Sequence, residues 1–413
     1  MQTPGSSAER HRKAGNSQNR NDKNNPTKKQ KNPALAPDRS PKLTRLVFDP
    51  ASGNPKRTGN QESIIPKDMS SNKKKTVLVA GGAGYIGTHT TVELIGAGYE
   101  VIIADNLSNS DISAVKGVEQ IVGRPVPFVQ VDCCDLDALR REVFARYAFD
   151  SVIHFAAYKA VGESVSEPLK YFRNNLDSLL NVLTLMKEFD VPNLVFSSSA
   201  TVYGQPEELP ATELTPLQRA NSPYGLTKQM SEDIIQDTVA AVPFLKAIAL
   251  RYFNPIGAHP SALIGELPKG VPANLVPFIT QTAAKVRTEL SVFGADYDTP
   301  DGSCQRDYID VVDLARAHVA AVNRMVGDKS AERYEIFNIG TGVPVSVLEL
   351  VRLFEQVNGV PVPHKIVDRR PGDVEKIWAA TDKANDVLGW RAERELGDTL
   401  RSAWAWEKHV RGL

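Results

Sequence analysis

A glycine-rich turn directly after a short apolar run is the feature that most constrains this chain. Residues 76–87 read TVLVAGGAGYIG, which predicts a buried parallel strand over Val77–Ala80, then a turn and a helix. Gly81 permits the tight turn, Gly84 lets the backbone approach a pyrophosphate, and Gly87 lets the helix pack closely on the sheet. The helix opening here directs free N–H groups towards phosphate. The segment therefore predicts a dinucleotide site.

An aspartate at the end of the next predicted strand supports this interpretation. Glu100–Asp105 places a carboxylate about 20 residues beyond the turn, where it binds the hydroxyls of an adenosine ribose. A carboxylate there repels a 2′-phosphate. The sequence therefore favours NAD over NADP, and it argues against a reductase that uses exchangeable NADPH.

Beyond Thr76, strand and helix patterns alternate, which predicts an α/β fold with a Rossmann-type, doubly wound parallel sheet. Helices are predicted at Tyr85–Ala97 and Asp177–Glu188. The predicted strands are Thr76–Ala80, Glu100–Asp105, Val126–Val131, Ser151–Phe155, Asn193–Ser198 and Lys246–Arg251.

After Phe253 proline and glycine become dense. Short strands near Leu290–Phe293, Glu335–Asn338 and Lys365–Val367 predict a smaller α+β domain over the ligand edge of the sheet. We expect residues 73–253 to form the dinucleotide-binding domain and residues 254–413 the substrate-binding domain, with some segments returning to the first.

The zero net charge of the 413 residues conceals an asymmetry. Residues 1–75 hold 17 Lys and Arg against 6 Asp and Glu, so the remainder carries a balance of −11. An acidic body argues against nucleic acid as the main ligand. Residues 1–72 are poor in aromatic and β-branched residues and predict a disordered basic tail. Residues 1–68 are interpreted as an extension upstream of a start at Met69, and a basic arm that contacts nucleic acid is the alternative.

Other compositional features exclude several classes. The sequence has no apolar run near the ~20 residues that span a bilayer and no hydrophobic segment at its beginning, so neither a membrane nor a secretory signal is expected. Three cysteines without CxxC spacing predict no disulfide framework and favour the cytoplasm. The seven histidines lack metal-ligand spacing, so no metal site is expected.

A YxxxK motif provides the predicted chemistry. Ser222 and Pro223 predict a capped helix on which Tyr224 and Lys228 share one face. A free tyrosine has a pKa near ~10, and a nearby ammonium with the positive nicotinamide ring of bound NAD lowers it. Such a tyrosine takes a proton from a sugar hydroxyl as hydride leaves the same carbon. Ser199, in the run SSSAT at a strand end, is predicted to bind that hydroxyl, with Thr201 as the alternative.

From about Thr76 to its end, the chain resembles the UDP-glucose 4-epimerases (UDP-galactose 4-epimerases) of the extended short-chain dehydrogenase/reductase superfamily. The strings that carry the resemblance are GGAGYIG, ADNLSNS, HFAAYKAVGESV, SSSATVYG, SPYGLTK, RYFNPIGAHPS, RDYIDVVDLA and RRPGDVEKIWA. It implies tightly bound NAD, a UDP-sugar substrate and a homodimer joined through helices of the NAD domain. It also implies that Tyr224 removes the proton of the 4-hydroxyl, helped by Ser199 and Lys228. A 4-keto sugar would then rotate within the pocket before hydride returns to its opposite face.

The resemblance also implies the binding residues. NAD would be bound by Gly81, Gly84, Tyr85, Ile86, Gly87, Asp105, Asn106, Asn109, Asp132, Cys133, Phe155, Lys159, Asn174, Tyr224, Lys228 and Phe253. The UDP-sugar would be bound by Ser199, Asn254, Asn274, Leu275, Phe293, Arg306, Arg370, Asp373 and Ile377. Arginines at positions 306 and 370 suit a pyrophosphate, which favours planar bidentate donors.

Some positions depart from the family pattern. Ala157 and Tyr158 replace Gly and Leu, residues 177–179 read Asp-Ser-Leu in place of Asn-Gly-Thr, and Asp310 replaces a His. Tyr158 is interpreted as a packing change, with an altered pocket as the alternative. Ile377 lies at the family's gate, where an aromatic residue restricts the pocket to UDP-hexoses and a small one admits N-acetylated sugars. Isoleucine is intermediate, so activity on UDP-N-acetylglucosamine stays open.

Three alternative functions are less consistent with the sequence. A 4,6-dehydratase needs an acidic residue beside the Ser/Thr at the strand end, where this chain has Ala200. A UDP-glucuronate epimerase shares most motifs but binds a carboxylated sugar. A catalytically inactive NAD-binding module is disfavoured by the intact set of Ser199, Tyr224 and Lys228.

Overall fold

The structure is a computed structural model that describes residues 74–370 and 373–413. The predictions for the tail and for a start at Met69 lie outside these residues and stay predictions.

The core of the described chain is a parallel sheet of seven strands in the order β10-β6-β5-β4-β1-β2-β3. Its strands are β1 (Thr76–Ala80), β2 (Glu100–Asp105), β3 (Phe128–Gln130), β4 (Ser151–His154), β5 (Asn193–Ser199), β6 (Lys246–Tyr252) and β10 (Tyr334–Ile339). The strand order changes direction at β1: β2 and β3 extend the sheet on one side of β1, and β4, β5, β6 and β10 extend it on the other. A ligand crevice forms at such a switch point, beyond the carboxyl ends of the strands.

Helices connect and cover the strands. They are α1 (Tyr85–Gly96), α2 (Ile112–Val122), α3 (Leu136–Leu139), α4 (Val161–Ser166), α5 (Pro168–Glu188), α6 (Pro223–Ala241), α7 (Leu275–Ala283), α8 (Val311–Val326), α9 (Val347–Asn358) and α10 (Leu396–Arg411). Shorter helical turns occupy Arg140–Phe144, Ala200–Tyr203 and Ala384–Leu388.

Strand β1 shows why the sheet is covered on both faces. Its alternate residues Val77 and Val79 pack in one apolar cluster with α1, α2 and α8, whereas Leu78 and Ala80 pack in another with α5 and α6. Both sets are fully buried. Continuous burial on two faces is typical of a parallel sheet between helix layers, as the sequence predicted.

The smaller part of the fold supplies the other wall of the crevice. Its strands are β7 (Asn254–Ile256), β8 (Leu290–Phe293), β9 (Gln305–Asp310), β11 (Pro344–Ser346), β12 (His364–Val367) and β13 (Lys376–Ile377). β9 pairs with β7, β11 and β13, and β8 pairs with β12. Residues from α7, α9 and α10 form its apolar core, with Ile279, Phe354 and Leu400 fully buried.

Three sequence-based assignments need correction. The strand at Glu335–Asn338 belongs to the main sheet as β10, because it pairs with β6 and not with the smaller sheets. Helix α5 begins at Pro168 and not at Asp177, since proline is well placed in a first helical turn. The third strand is shorter than Val126–Val131 because only Phe128–Gln130 pairs with β2.

Among the helices of residues 74–370 and 373–413, none has the length and apolar character needed to cross a membrane.

Candidate active site

The glycine-rich turn begins where β1 ends. Gly81 has φ +78°, and a Cβ there would lie 2.6 Å from the backbone nitrogen of Ala156. A Cβ at Gly87 would lie 2.7 Å from the carbonyl oxygen of Gly81. A Cβ at Gly84 meets only that same oxygen, at 3.3 Å. Two of the glycines are therefore required by the fold, whereas the outer side of Gly84 is open for a ligand to approach.

The N-terminus of α1 is equipped for an anion. Gly84 at its N-cap offers no side chain, and its first turn holds no acidic residue. The Tyr85 hydroxyl donates to the Gly257 carbonyl at 2.7 Å and joins the turn to the loop after β7. Ile86 packs against the core beneath the sheet. The first N–H groups of a helix have no intrahelical acceptor, and together with the positive helix end they fit a pyrophosphate.

Asp105 lies beside this turn and is held rigidly. Its Oδ2 accepts from the Ala83 amide at 3.1 Å, and its Oδ1 accepts from the Leu107 amide and the Ser110 hydroxyl, both at 2.8 Å. A carboxylate oxygen accepts two hydrogen bonds, so Oδ2 keeps acceptor capacity for a ribose hydroxyl. These residues fit NAD.

The predicted adenine end of the site is assembled from neighbouring loops. Asn106 donates to Asp132 at 3.1 Å, which links the ends of β2 and β3. Cys133 is buried, and burial raises the pKa of its thiol, so it serves as a neutral apolar contact. The Asn174 carbonyl accepts from the Cys134 thiol at 3.4 Å, while Asn109 is exposed near the turn that precedes α2.

The predicted catalytic residues meet at the carboxyl end of β5. Ser199 is the last residue of β5, and α6 starts at Pro223 with the Ser222 hydroxyl accepting from the Gly225 amide at 3.1 Å. This cap sets Tyr224 and Lys228 one turn apart, as predicted. The Lys228 ammonium donates to the Ser197 carbonyl at 2.6 Å.

Burial sets the electrostatics of this pair. It raises the pKa of Tyr224 to about 12, against a hydrogen bond with Ser199 that lowers it. It lowers the pKa of Lys228 to about 7, against the negative charge of Glu232 that raises it. Sequence reasoning expected a lowered tyrosine pKa from Lys228 and bound NAD together. In the chain alone burial dominates.

Two buried residues behind this pair were missed by sequence reasoning. Glu232 accepts from the Ser198 hydroxyl at 2.5 Å and from Arg251 at 3.0 and 2.6 Å. Arg251 also donates to the Tyr203 hydroxyl at 3.1 Å. The position of Glu232, four residues after Lys228, was the available signal.

A second missed carboxylate connects the predicted cofactor and substrate residues. Oε1 of Glu266 accepts from Lys159 at 2.9 Å and from Asn274 at 2.6 Å. Lys159 lies 5.9 Å from the centre of the Tyr85 ring. Residues predicted to contact NAD and UDP are thus joined through one carboxylate.

Phe155 follows β4, and its amide donates to the Ala80 carbonyl at 2.8 Å, which places it beside the glycine-rich turn. The apolar cluster next to Ser199 draws residues from both parts of the fold. Phe253 and Ile377 are buried in one apolar cluster with Ala200, the residue after Ser199. The predicted gate therefore lies beside the predicted catalytic serine.

The predicted UDP residues form separate groups. Asn254 opens β7 directly after Phe253, and Leu275 opens α7 directly after Asn274. Arg306 on β9 is the register partner of Ile377 on β13.

The remaining predicted UDP residues lie together at the end of β8. The Arg370 guanidinium lies 5.5 Å from the centre of the Phe293 ring and donates to Asp373 at 2.6 Å. Phe293 is 39% exposed, so its ring is available to a ligand.

Two departures from the family pattern have structural explanations. The Tyr158 ring packs 5.7 Å from that of Tyr171 and beneath the Lys170 ammonium, which favours the packing interpretation. Asp310 caps α8 through the Val312 amide at 2.7 Å and accepts from Thr399 at 2.7 Å. No cluster of three or more metal-ligating side chains occurs in the part of the chain that the structure describes.

Comparison with known proteins decides the family. Residues 77–340 match the NAD dependent epimerase/dehydratase family. The UDP-glucose 4-epimerase of Bacillus subtilis is 49% identical over 80% of this chain and 96% of its own length. The Dictyostelium discoideum UDP-glucose 4-epimerase is 50% identical over 80% of this chain and 95% of its own length. The chain belongs to the UDP-glucose 4-epimerases of the NAD dependent epimerase/dehydratase family.

Solved structures of the family agree. The UDP-glucose 4-epimerase of Bifidobacterium longum, in complex with NAD+ and UDP, is 48% identical, has a TM-score of 0.78, and covers 82% of this chain and 99% of its own. The predicted resemblance, Rossmann-type fold, NAD cofactor and isomerase class are confirmed. The roles of single residues in this family member stay proposals.

Proposed function

We propose that the chain interconverts UDP-galactose and UDP-glucose by NAD-dependent 4-epimerisation. The observation that carries the proposal is the placement of Ser199 at the end of β5 near Tyr224, with the buried Lys228 one helical turn further along α6, beside a turn and carboxylate that fit NAD. Membership in the UDP-glucose 4-epimerases supports the substrate.

The chain's own residues would move the proton. NAD, held by the glycine-rich turn and Asp105, would supply the hydride acceptor for the sugar C4 and the hydride donor for the opposite face. Tyr224 is the base that takes the 4-hydroxyl proton and gives it back to the C4 oxygen when the alcohol re-forms, and Ser199 orients that hydroxyl through its own hydrogen bond. Burial keeps Tyr224 protonated in the chain alone.

The nucleotide would be held by residues remote from C4. Arg306 and Arg370 supply planar donors for the pyrophosphate, and the half-exposed Phe293 supplies a ring face. Asn254, Asn274, Leu275 and Asp373 complete the proposed UDP site. Binding energy taken from the unreactive part lets the 4-keto sugar turn without leaving.

The test is turnover of UDP-galactose without added nicotinamide, with Tyr224→Phe as control. The wild-type chain should form UDP-glucose, and Tyr224→Phe should lose about 10²–10⁴-fold in turnover, the usual contribution of a positioned acid or base. It should also retain its NAD. Wild-type activity that needs added NAD, or an undiminished Tyr224→Phe enzyme, would refute the proposal. UDP-N-acetylglucosamine and UDP-glucuronate are the alternative substrates to assay.

We further propose a cytoplasmic homodimer, joined through α4, α5 and α6. Val165, Leu169 and Leu180 are 63%, 71% and 44% exposed, and Met230 of α6 is 37% exposed. α4, α5 and α6 pack on one another, so these exposed apolar residues lie on neighbouring helices that would supply the proposed interface. Light scattering should give a dimer for the wild type and a monomer for Leu169→Asp. Leu214→Asp, at a 92% exposed loop position, is the matched control and should stay dimeric.

The division at residue 253 stays a proposal too. Residues 73–253 would bind NAD and residues 254–413 the UDP-sugar, with α8 and β10 returning to the first part, as their packing on α1 and β6 supports.

A further inference from the structure

A buried carboxylate behind the proposed catalytic pair has no part in the reaction as described so far. Glu232 follows Lys228 by four residues on α6, so both side chains lie on one face of the helix. Each is 4% exposed. Both reach the same strand end, Lys228 through the Ser197 carbonyl at 2.6 Å and Glu232 through the Ser198 hydroxyl at 2.5 Å.

We propose that Glu232 is a positioning residue of the epimerase reaction, whose carboxylate keeps Lys228 in the ammonium form that assists Tyr224. The inference rests on the proposed function, because it assigns to Glu232 an effect exerted through Lys228.

The charges around the ammonium support this role. The titratable groups that face it or its carboxylate neighbour include His154 of β4, Tyr224 and Glu232 of α6, Arg251 and Tyr252 of β6, and Tyr334 of β10. His154 is uncharged near neutral pH, because burial lowers its pKa to about 3. Burial raises the pKa values of the three tyrosines, so they are neutral too. Among these groups Glu232 is the one carboxylate.

Arg251 makes the arrangement more than a simple ion pair. Its guanidinium donates two hydrogen bonds to Glu232, through Nε and through a terminal nitrogen, and the side chain is 2% exposed. Removal of the carboxylate alone would leave an unpaired buried cation. That cation would also repel the ammonium of Lys228, so a single substitution mixes two effects.

The experiment compares pH profiles of turnover for the NAD-loaded enzyme. Variants are Glu232→Gln, Glu232→Asp, Ser198→Ala and the double variant Glu232→Gln/Arg251→Met. In Glu232→Gln the alkaline limb should move to lower pH by about one unit, which is ~tenfold in turnover on that limb. Glu232→Asp should restore most of this shift. Ser198→Ala removes a hydrogen bond of Glu232 without changing charge, so its limb should stay in place.

The double variant separates the two effects and also covers a Glu232→Gln protein that fails to fold. With both charges removed, the limb should still be shifted, although less than in Glu232→Gln. A wild-type limb in the double variant would assign the shift to the unpaired Arg251 cation and overturn the proposal. So would a Glu232→Gln profile that is lower in amplitude but unmoved, because that is the result of a merely structural role.

A second readout separates this inference from the proposed function. Titration of Lys228 by NMR in isotope-labelled enzyme measures its ionisation without any turnover. Glu232→Gln should lower that pKa relative to wild type. If the wild type turns over no UDP-galactose but the NMR shift is present, the proposed substrate fails and the effect of Glu232 on Lys228 stands. An unshifted titration refutes the inference whatever the substrate is.

Discussion

Substitution of Gly87 by alanine tests how closely α1 must approach the sheet. A Cβ at this position would lie 2.7 Å from the Gly81 carbonyl oxygen and 2.7 Å from the Cα of Gly82. Both are backbone atoms of the glycine-rich turn, so no side chain is able to move aside. Overpacking of this kind costs about 1–3 kcal/mol, while alanine returns up to ~1 kcal/mol in helix propensity. With the full return of helix propensity, we expect a net loss of up to about 2 kcal/mol in the free energy of unfolding, and displaced N–H groups at the phosphate site.

The matched control lies on the same helix. Gly96 is the last residue of α1, and a Cβ there meets nothing within 4 Å. Gly96→Ala should be neutral or stabilising by up to ~1 kcal/mol. Urea unfolding measures the free energy of unfolding, and the NAD released from the purified, denatured protein measures cofactor retention. Gly87→Ala should lower both the free energy of unfolding and the amount of NAD that is retained. If it matches Gly96→Ala on both, the close approach of α1 is not what the turn requires.

Three further outcomes are expected. Ile377→Tyr should suppress any activity on N-acetylated UDP-sugars and spare UDP-galactose; equal loss of both in a coupled assay would show that this position is not the gate. Asp105→Asn should lower the ratio of NAD to NADP in the bound cofactor, since it removes the charge that repels a 2′-phosphate; an unchanged ratio contradicts this. Burial lowers the pKa values of His89, His154 and His318 to about 3, 3 and 4. Below the unfolded value near ~6.5 the unfolded state therefore binds more protons, and the free energy of unfolding decreases as the pH is lowered. His318→Phe should reduce that slope by one proton, about 1.4 kcal/mol per pH unit, in urea unfolding at several pH values, and an unchanged slope would show that His318 is protonated in the folded state.

Local sequence patterns predicted the parts of the fold that depend on neighbouring residues. The bounds of β1 and β2 agree with the apolar runs, because a strand buried on both faces needs an uninterrupted apolar sequence. The cap before Tyr224 was equally readable, since Ser-Pro at a helix start satisfies local backbone groups. The partner strand of β10 could not be predicted, because the sequence of a short strand does not indicate which sheet it joins.

The candidate site likewise has residues that local motifs predict and residues that only the structure identifies. Gly81, Asp105 and the YxxxK pair stand in motifs with fixed spacing. The pairing of Glu232 with Arg251, and that of Lys159 with Glu266, join residues that are far apart in sequence and follow no spacing rule. Such long-range pairs depend on the packing of the whole fold, so only the structure identifies them. The pKa of Tyr224 shows the same limit, because its direction is decided by burial.

Because β10 and α8 pack on the main sheet, the segments before and after Phe253 cannot be exchanged between relatives as independent units. A fragment that stops at Phe253 would lack the edge strand beside β6 and the helix whose Leu314 and Ala317 lie against α1. Its β6 would present an unprotected, apolar edge, which is a template for aggregation. Hybrids between relatives should therefore fail when joined at this point. They should succeed when the crossover also carries residues 311–339 from the parent that supplies the first half.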